Sequence, residues 1–141
     1  MKTKHHGILS LSFVGMAIAI AGYTAARLNI LLLIGYLVFS LLAFITVITA
    51  YCSKCPCKTH CAHVLPGLLA GRIDRQPGPY TKLELTLLLL AIAILLILPN
   101  VWLWHFLHWM VIYWLVAIIA IIEIRQYVCK PCGNVFCPLN K

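Results

Sequence analysis

Four long apolar stretches, separated by polar residues, dominate the hydropathy pattern of this chain. A helix needs about 20 apolar residues to cross the ~30 Å hydrocarbon layer of a membrane. The stretches that meet this requirement cover residues 8–26, 28–51, 83–98 and 101–124. We therefore predict an all-α integral membrane protein with four transmembrane helices, folded as a single membrane domain over residues 1–141.

Polar or helix-breaking residues separate the two spans of each pair. Arg27 and Asn29 interrupt the first apolar run, which would otherwise form a helix far longer than the bilayer is thick. Pro99 and Asn100 interrupt the second run, because proline lacks a backbone donor and disfavours helix in the preceding residue. The four spans are thus expected to form two hairpins, joined by a polar segment.

The beginning of the chain has some features of a signal peptide. Lys2 and Lys4 precede an apolar run that contains Ala19 and Ala21, the spacing of a cleavage site. The second apolar run follows at once, however, so cleavage would leave the next span with a ragged beginning. We expect the first span to be retained.

Composition agrees with this membrane architecture. Hydrophobic residues make up 63% of the chain and charged residues only 10%. An ordinary soluble domain is about half apolar and a quarter charged, and a disordered chain has low hydrophobicity. Both classes are excluded.

The basic residues are distributed asymmetrically about the predicted spans. The chain carries 11 Lys and Arg against 3 Asp and Glu, a formal net charge of +8. All of the basic residues except Arg27 fall on the side of the two termini and the central segment. The positive-inside rule therefore predicts cytoplasmic termini, in the cytoplasmic membrane. This orientation and attraction to the lipid bilayer account for the charge, so nucleic-acid binding is not expected.

The seven cysteines lie in two segments, residues 52–63 and 129–137, and each segment directly follows a predicted span. If the two helix ends are neighbours, the segments meet at the membrane surface. Thiols stay reduced in the cytosol, and an odd number cannot all pair within one chain. We therefore predict a cytoplasmic, Cys-rich, metal-binding cap. Its candidate ligands are Cys52, Cys55, Cys57, Cys61, His63, Cys129, Cys132 and Cys137.

The spacing of two cysteine pairs supports this prediction. Two cysteines separated by two residues can wrap a tight turn around one ion and direct backbone N–H groups at the sulfurs. The segment Cys129-Lys-Pro-Cys132-Gly133 resembles the metal-binding knuckle of zinc ribbons and rubredoxins over these five residues, which implies a local geometry only. Cys52 and Cys55 have the same spacing without the glycine. Neighbouring lysines, such as Lys54 and Lys58, are expected to offset the thiolate charge.

Several ligand pairings are open at this point. In one, Cys52, Cys55, Cys129 and Cys132 bind one ion while Cys57, Cys61, His63 and Cys137 bind a second. In another, the four cysteines of the first segment share one ion or cluster. His60 is a further possible donor.

Two cofactors fit such ligands. Histidine near the cysteines and the glycine of the knuckle favour zinc. Proline directly after Cys55 and Cys137 resembles the end of ferredoxin cluster motifs, so an iron–sulfur cluster is the alternative. A third hypothesis has no metal and treats the thiols as buried or palmitoylated.

Three functions follow from these alternatives. The leading hypothesis is a non-enzymatic membrane protein in which zinc clamps the four-helix bundle for a structural, assembly or partner-binding role, with subunits of a membrane complex or further copies as partners. The first alternative is iron–sulfur electron transfer to a quinone or a partner subunit. The second is a membrane thiol–disulfide oxidoreductase.

The opposite end of the predicted bundle carries aromatic residues and two histidines. Trp102, Trp104 and Trp109 are typical of the aromatic belt at a membrane interface. His105 and His108 share one helix face, and we expect them to be neutral and hydrogen-bonded. Quinone contact, haem ligation and proton transfer are alternatives for this pair.

Overall fold

A computed structural model of the chain describes residues 2–58, 61–130, 132, 134 and 137, and it is all-helical over these residues. In chain order the α-helices are α1 (Lys2–Leu28), α2 (Ile30–Thr46), α3 (Val64–Gly71), α4 (Lys82–Ile97), α5 (Asn100–Leu103) and α6 (Leu107–Glu123). A π-helical turn (Val47–Tyr51) and a 3-10 turn (Cys52–Lys54) extend α2, and a π-helical stretch (Ile124–Cys129) extends α6.

Four continuous helices of the described chain are long and apolar enough to cross a membrane. They are Lys4–Leu28, Ile30–Lys54, Lys82–Leu103 and Leu107–Cys129. Many of their large apolar side chains point outward, among them Leu31 and Leu89, which are 71% and 67% exposed. Such a surface is far too apolar for water and suits lipid. The prediction of four membrane-length helices is confirmed, whereas their orientation in a membrane remains a prediction.

Asn29 forms the turn between the first two helices, as its position between two apolar runs predicted. Its backbone is extended, and its side-chain oxygen accepts a hydrogen bond from the N–H of Leu31 at 2.8 Å. This is an N-cap, which satisfies one of the free donors at the beginning of α2.

Helix α4 ends at Ile97, just before Pro99, as the sequence predicted, but the third membrane-length helix as a whole continues past the proline through α5. The helix continues to Leu103, and the fourth begins at Leu107 instead of residue 101. Since Pro99 has no N–H, the Leu95 carbonyl loses its usual helix partner, but the Tyr113 hydroxyl donates to it at 2.9 Å. A neighbouring helix thus satisfies the backbone group that the proline frees.

The hairpins pack through α1, which contacts both α2 and α6, while α2 contacts α4. Ala21 and Ala25 of α1 are completely buried at these contacts, and small side chains let helices approach closely. Trp102, predicted to lie at a membrane interface, is instead 3% exposed and packs edge to face on Tyr36, with ring centroids 5.3 Å apart. Its indole N–H donates to the Ala21 carbonyl at 3.0 Å, which makes its burial favourable.

The beginning of α1, the central segment and the end of α6 meet at one end of the bundle. Gly7 allows the backbone of Ala62 to touch α1, because a Cβ at position 7 would lie 2.0 Å from the Ala62 carbonyl oxygen. Nδ1 of His6 lies 3.0 Å from a carboxylate oxygen of Glu123. These contacts place both cysteine segments at the same end of the molecule.

Candidate metal centre

The two cysteine segments surround a single cavity of about 330 Å³. All seven cysteines and His63 line it, together with side chains of the two helix ends, such as Tyr51 and Val128. The predicted meeting of the two segments is therefore confirmed. All seven thiols are free of disulfide bonds.

Three of these thiols are close enough to share one metal ion. The Sγ atoms of Cys55, Cys57 and Cys132 all lie within 4.8 Å of one another. Thiolates of a tetrahedral zinc site, with Zn–S bonds of 2.3 Å, lie about 3.8 Å apart. Only small side-chain adjustments separate the three sulfurs from that spacing. We call Cys55, Cys57 and Cys132 the thiol triad.

The triad differs from both of the pairings considered from the sequence. It joins Cys55 and Cys57 of the first segment to Cys132 of the second, whereas each predicted pairing separated at least one of them from the others. The other predicted ligands line the same cavity outside the triad: Cys52, Cys61, His63, Cys129 and Cys137. His60 and Gly133 lie outside the described residues.

Tight turns present the triad, as the cysteine spacing predicted. The N–H of Cys55 donates to the Cys52 carbonyl at 3.1 Å, and the N–H of Cys132 donates to the Cys129 carbonyl at 3.0 Å. The N–H of Cys57 is directed at the sulfur of Cys55. Such donors stabilise a thiolate and therefore prepare the sulfur for a metal.

Burial sets the protonation of the thiols before a metal binds. Burial raises the pKa of Cys55, the N–H of Cys57 acts in the opposite direction, and the neighbouring charge of Cys132 raises the pKa further. Burial likewise raises the pKa of Cys61, against the N–H of His63. Cys55 and Cys61 therefore keep their protons near pH 7, and a metal ion must displace these protons.

His63 is in the form that can bind a metal. Burial lowers its pKa, although the Gly7 carbonyl acts in the opposite direction, so the ring is neutral near pH 7. Its Nδ1 lies 3.3 Å from that carbonyl oxygen. In the tautomer that donates there, Nε2 is left as the ligand atom, and the backbone fixes the ring orientation.

Aromatic and amide side chains that sequence reasoning missed contact the thiols. The Tyr51 hydroxyl lies 2.7 Å from Sγ of Cys137. The amide nitrogen of Asn134 donates to Sγ of Cys55 at 3.4 Å and to the hydroxyl of Tyr80 at 3.2 Å. Tyr51 and Tyr80 stack with ring centroids 4.6 Å apart. The only signal in the sequence was the position of Tyr51 next to Cys52 and of Asn134 two residues after Cys132, and Tyr80 had no such signal.

Lys54, which lies in the turn between Cys52 and Cys55, forms an ion pair with a carboxylate. Lys54 donates to the buried carboxylate of Glu84 at 2.9 Å, and Arg75 binds the same carboxylate. Glu84 and Thr81 also form a capping box at the beginning of α4, in which the side chain of each accepts a hydrogen bond from the backbone N–H of the other. The Lys58 ammonium donates to the carbonyls of Ile73 and Arg75. Both lysines thus hold the central segment in place, and their expected role in offsetting thiolate charge stays a prediction.

His105 and His108 lie at the other end of α6, away from the cysteine cavity. Both side chains are exposed, and the ring centroid of His108 lies 5.5 Å from that of Trp109. Neither histidine belongs to the candidate metal centre.

No family model, curated protein or solved structure matches this chain. Its function is therefore argued from the cysteine cavity and the helices that carry it.

Proposed function

We propose that this chain is a small integral membrane protein in which thiolate-bound zinc clamps the ends of the two helical hairpins. The main support for this proposal is the thiol triad, whose sulfurs lie within 4.8 Å of one another. Cys55 and Cys57 follow the extension of α2, and Cys132 follows the extension of α6. An ion held by the three therefore links the first hairpin to the second.

Cys61 is the best fourth ligand. It lines the same cavity, directly follows the triad's first two cysteines along the chain, and interacts electrostatically with the thiols of the triad, although its sulfur lies outside the 4.8 Å group. Four thiolates complete the tetrahedral shell of a structural zinc site. Such a closed site contributes folding free energy instead of catalysis.

The short distances within the triad favour a single ion. In a four-iron cluster each cysteine binds a different iron atom, so the cysteine sulfurs lie farther apart than around one ion. We also propose that the cavity and both termini face the cytoplasm, because in the sequence every Lys and Arg except Arg27 belongs to the termini or the central segment. Its role there is to present a clamped surface for assembly with other membrane subunits or with further copies.

Metal content tests the proposal. The full chain is purified in detergent, and zinc, iron and acid-labile sulfide are counted per chain. We expect one zinc ion, lost in Cys55→Ser, Cys57→Ser and Cys132→Ser. The matched control is Cys137→Ser, which removes a thiol of the same cavity outside the proposed ligand set. Zinc that persists in all three triad variants would contradict the proposal.

The second candidate is an iron–sulfur electron-transfer protein. One observation favours it: seven thiols line one cavity, which is more than a single zinc ion uses. Anaerobically purified protein would then contain iron and sulfide in equal amounts, with a brown colour that dithionite bleaches. That result would replace zinc with a cluster and make electron transfer to a membrane partner the function.

A further inference from the structure

Helix α3 has two faces with different surroundings. Pro66, Gly67 and Ala70 are buried, and the latter two line the cysteine cavity. Val64, Leu65 and Leu68 are 46%, 49% and 58% exposed. At 100° per residue, the buried residues occupy one side of α3 and the three exposed apolar residues the other. The helix therefore covers the cavity with one face and presents an apolar stripe with the other.

The position of α3 along the bundle is level with one end of a membrane-length helix. The backbone of Ala62, two residues before α3, packs against Gly7 of α1. Gly7 lies within one turn of Lys4, the first residue of the membrane-length part of α1. Helix α3 thus begins level with the end of a membrane-length helix.

Basic side chains flank the apolar stripe. Lys4 lines a second cavity, of about 310 Å³, together with Val64 and Leu68 of α3. Arg72, directly after the helix, is exposed. Exposed leucine and valine beside lysine and arginine are the composition of helices that lie in a membrane interface and bind anionic headgroups.

We propose that α3 is an interfacial helix that inserts Val64, Leu65 and Leu68 into an anionic phospholipid surface, with Lys4 and Arg72 contacting the headgroups. The charge of the flanking residues selects anionic lipid as the occupant of this face. The cover of the cysteine cavity is then itself anchored in lipid. This inference does not depend on which metal the cavity binds.

Fluorescence quenching in nanodiscs tests it. An environment-sensitive fluorescent amino acid replaces Leu68 in the full chain, and in a control chain it replaces Gln76, which is exposed and polar in the same segment. The nanodiscs contain phosphatidylcholine with or without phosphatidylglycerol. One quencher is a lipid with a nitroxide near its headgroup, and the other is aqueous iodide.

We expect the lipid nitroxide to quench the probe at Leu68 and iodide to quench the probe at Gln76. Lys4→Gln and Arg72→Gln should each lower the ratio of nitroxide quenching to iodide quenching at position 68 by about fivefold in discs with phosphatidylglycerol. The decrease should be much smaller in discs without it. Iodide quenching at Leu68 would overturn the proposal, because the face would then be in water. Protection from both quenchers would overturn it too, because protein would then cover the face.

Discussion

The Tyr51 hydroxyl lies 2.7 Å from Sγ of Cys137, and this contact joins the end of the α2 extension to the C-terminal cysteine segment. Tyr51 stacks on Tyr80, which in turn accepts a hydrogen bond from Asn134. Three parts of the chain are thus held together beside the thiol triad, and Asn134 also donates to one of its sulfurs, Sγ of Cys55. These side-chain contacts support the wall of the cavity without requiring a metal ion.

Loss of the Tyr51 hydroxyl should destabilise this end of the protein. We expect Tyr51→Phe to lower the free energy of unfolding in detergent by about 1 kcal/mol, because the thiol of Cys137 loses its partner. Zinc content should stay unchanged, since Cys137 lies outside the proposed ligand set. The control is Tyr23→Phe, whose hydroxyl only accepts an exposed contact from Arg27. Equal losses in the two variants would contradict a specific role for Tyr51.

Gly67 is required by the close approach of α3 to the cysteine segment. A Cβ there would lie 2.8 Å from the Lys58 carbonyl oxygen and 2.9 Å from Cβ of Cys61. We expect Gly67→Ala to lower the free energy of unfolding by about 1–3 kcal/mol and to weaken zinc retention, because Cys61 must shift. Gly71→Ala is the matched control, since nothing lies within 4 Å of its Cβ. A competition with a zinc-binding dye measures retention, and equal behaviour of the two variants would refute the argument.

The buried carboxylate of Glu84 should be important for stability. Its side chain is 9% exposed and that of its partner Lys54 is 15% exposed. Removing one member of a buried pair leaves the other charge uncompensated, so Glu84→Gln should cost about 3 kcal/mol. Glu123→Gln, in a more exposed pair with His6, should cost less than about 1 kcal/mol. Thermal unfolding of the two variants compares them directly, and a larger effect at Glu123 would contradict the prediction.

The metal-free and metal-bound proteins should depend on pH in opposite directions. Burial raises the pKa of Cys55 and Cys61 in the fold, so the unfolded chain loses these protons first. Stability of the metal-free protein should therefore fall as pH rises above about 8.5, the ordinary thiol range. The lowered pKa of His63 adds stability that is present at neutral pH and lost in acid.

Zinc reverses the thiol contribution. The folded, zinc-bound state holds thiolates, so it carries fewer protons than the unfolded chain and gains stability as pH rises towards that range. Thermal unfolding between pH 6 and 10, with and without zinc, measures both slopes. Parallel slopes would mean that zinc does not bind through these thiols.

The helices were predictable from the sequence because they depend on local signals, whereas the meeting of the cysteine segments was predicted only on the condition that two helix ends are neighbours. Apolar runs of membrane length define the helices, and the cysteines follow two helix ends directly. The turn at Asn29 was also predictable, since an asparagine between apolar runs is a strong N-cap. The end of α4 before Pro99 was predictable as well, whereas the continuation through α5 to Leu103 was not. There the Tyr113 hydroxyl, from another helix, donates to the Leu95 carbonyl that the proline leaves without a partner.

The detailed arrangement of the thiols depends on distant contacts that the spacing of cysteines does not contain. Cys57 lies beside Cys132. The first cysteine segment that carries Cys57 also makes distant contacts, with Gly67 of α3 and with Glu84 of α4. Pairing Cys55 with Cys52 by spacing alone therefore predicted the tight turn but not the sulfurs that lie together. The burial of Trp102 was likewise not predictable, because the Ala21 carbonyl that accepts its indole hydrogen bond lies on the first helix.

X-ray absorption at the zinc edge of the purified full chain tests the central claim most directly. The account predicts four-coordinate zinc with sulfur neighbours at about 2.3 Å, and loss of one sulfur or of the whole signal in Cys132→Ser. Zinc surrounded only by nitrogen and oxygen atoms, or a chain that binds no metal, would contradict it.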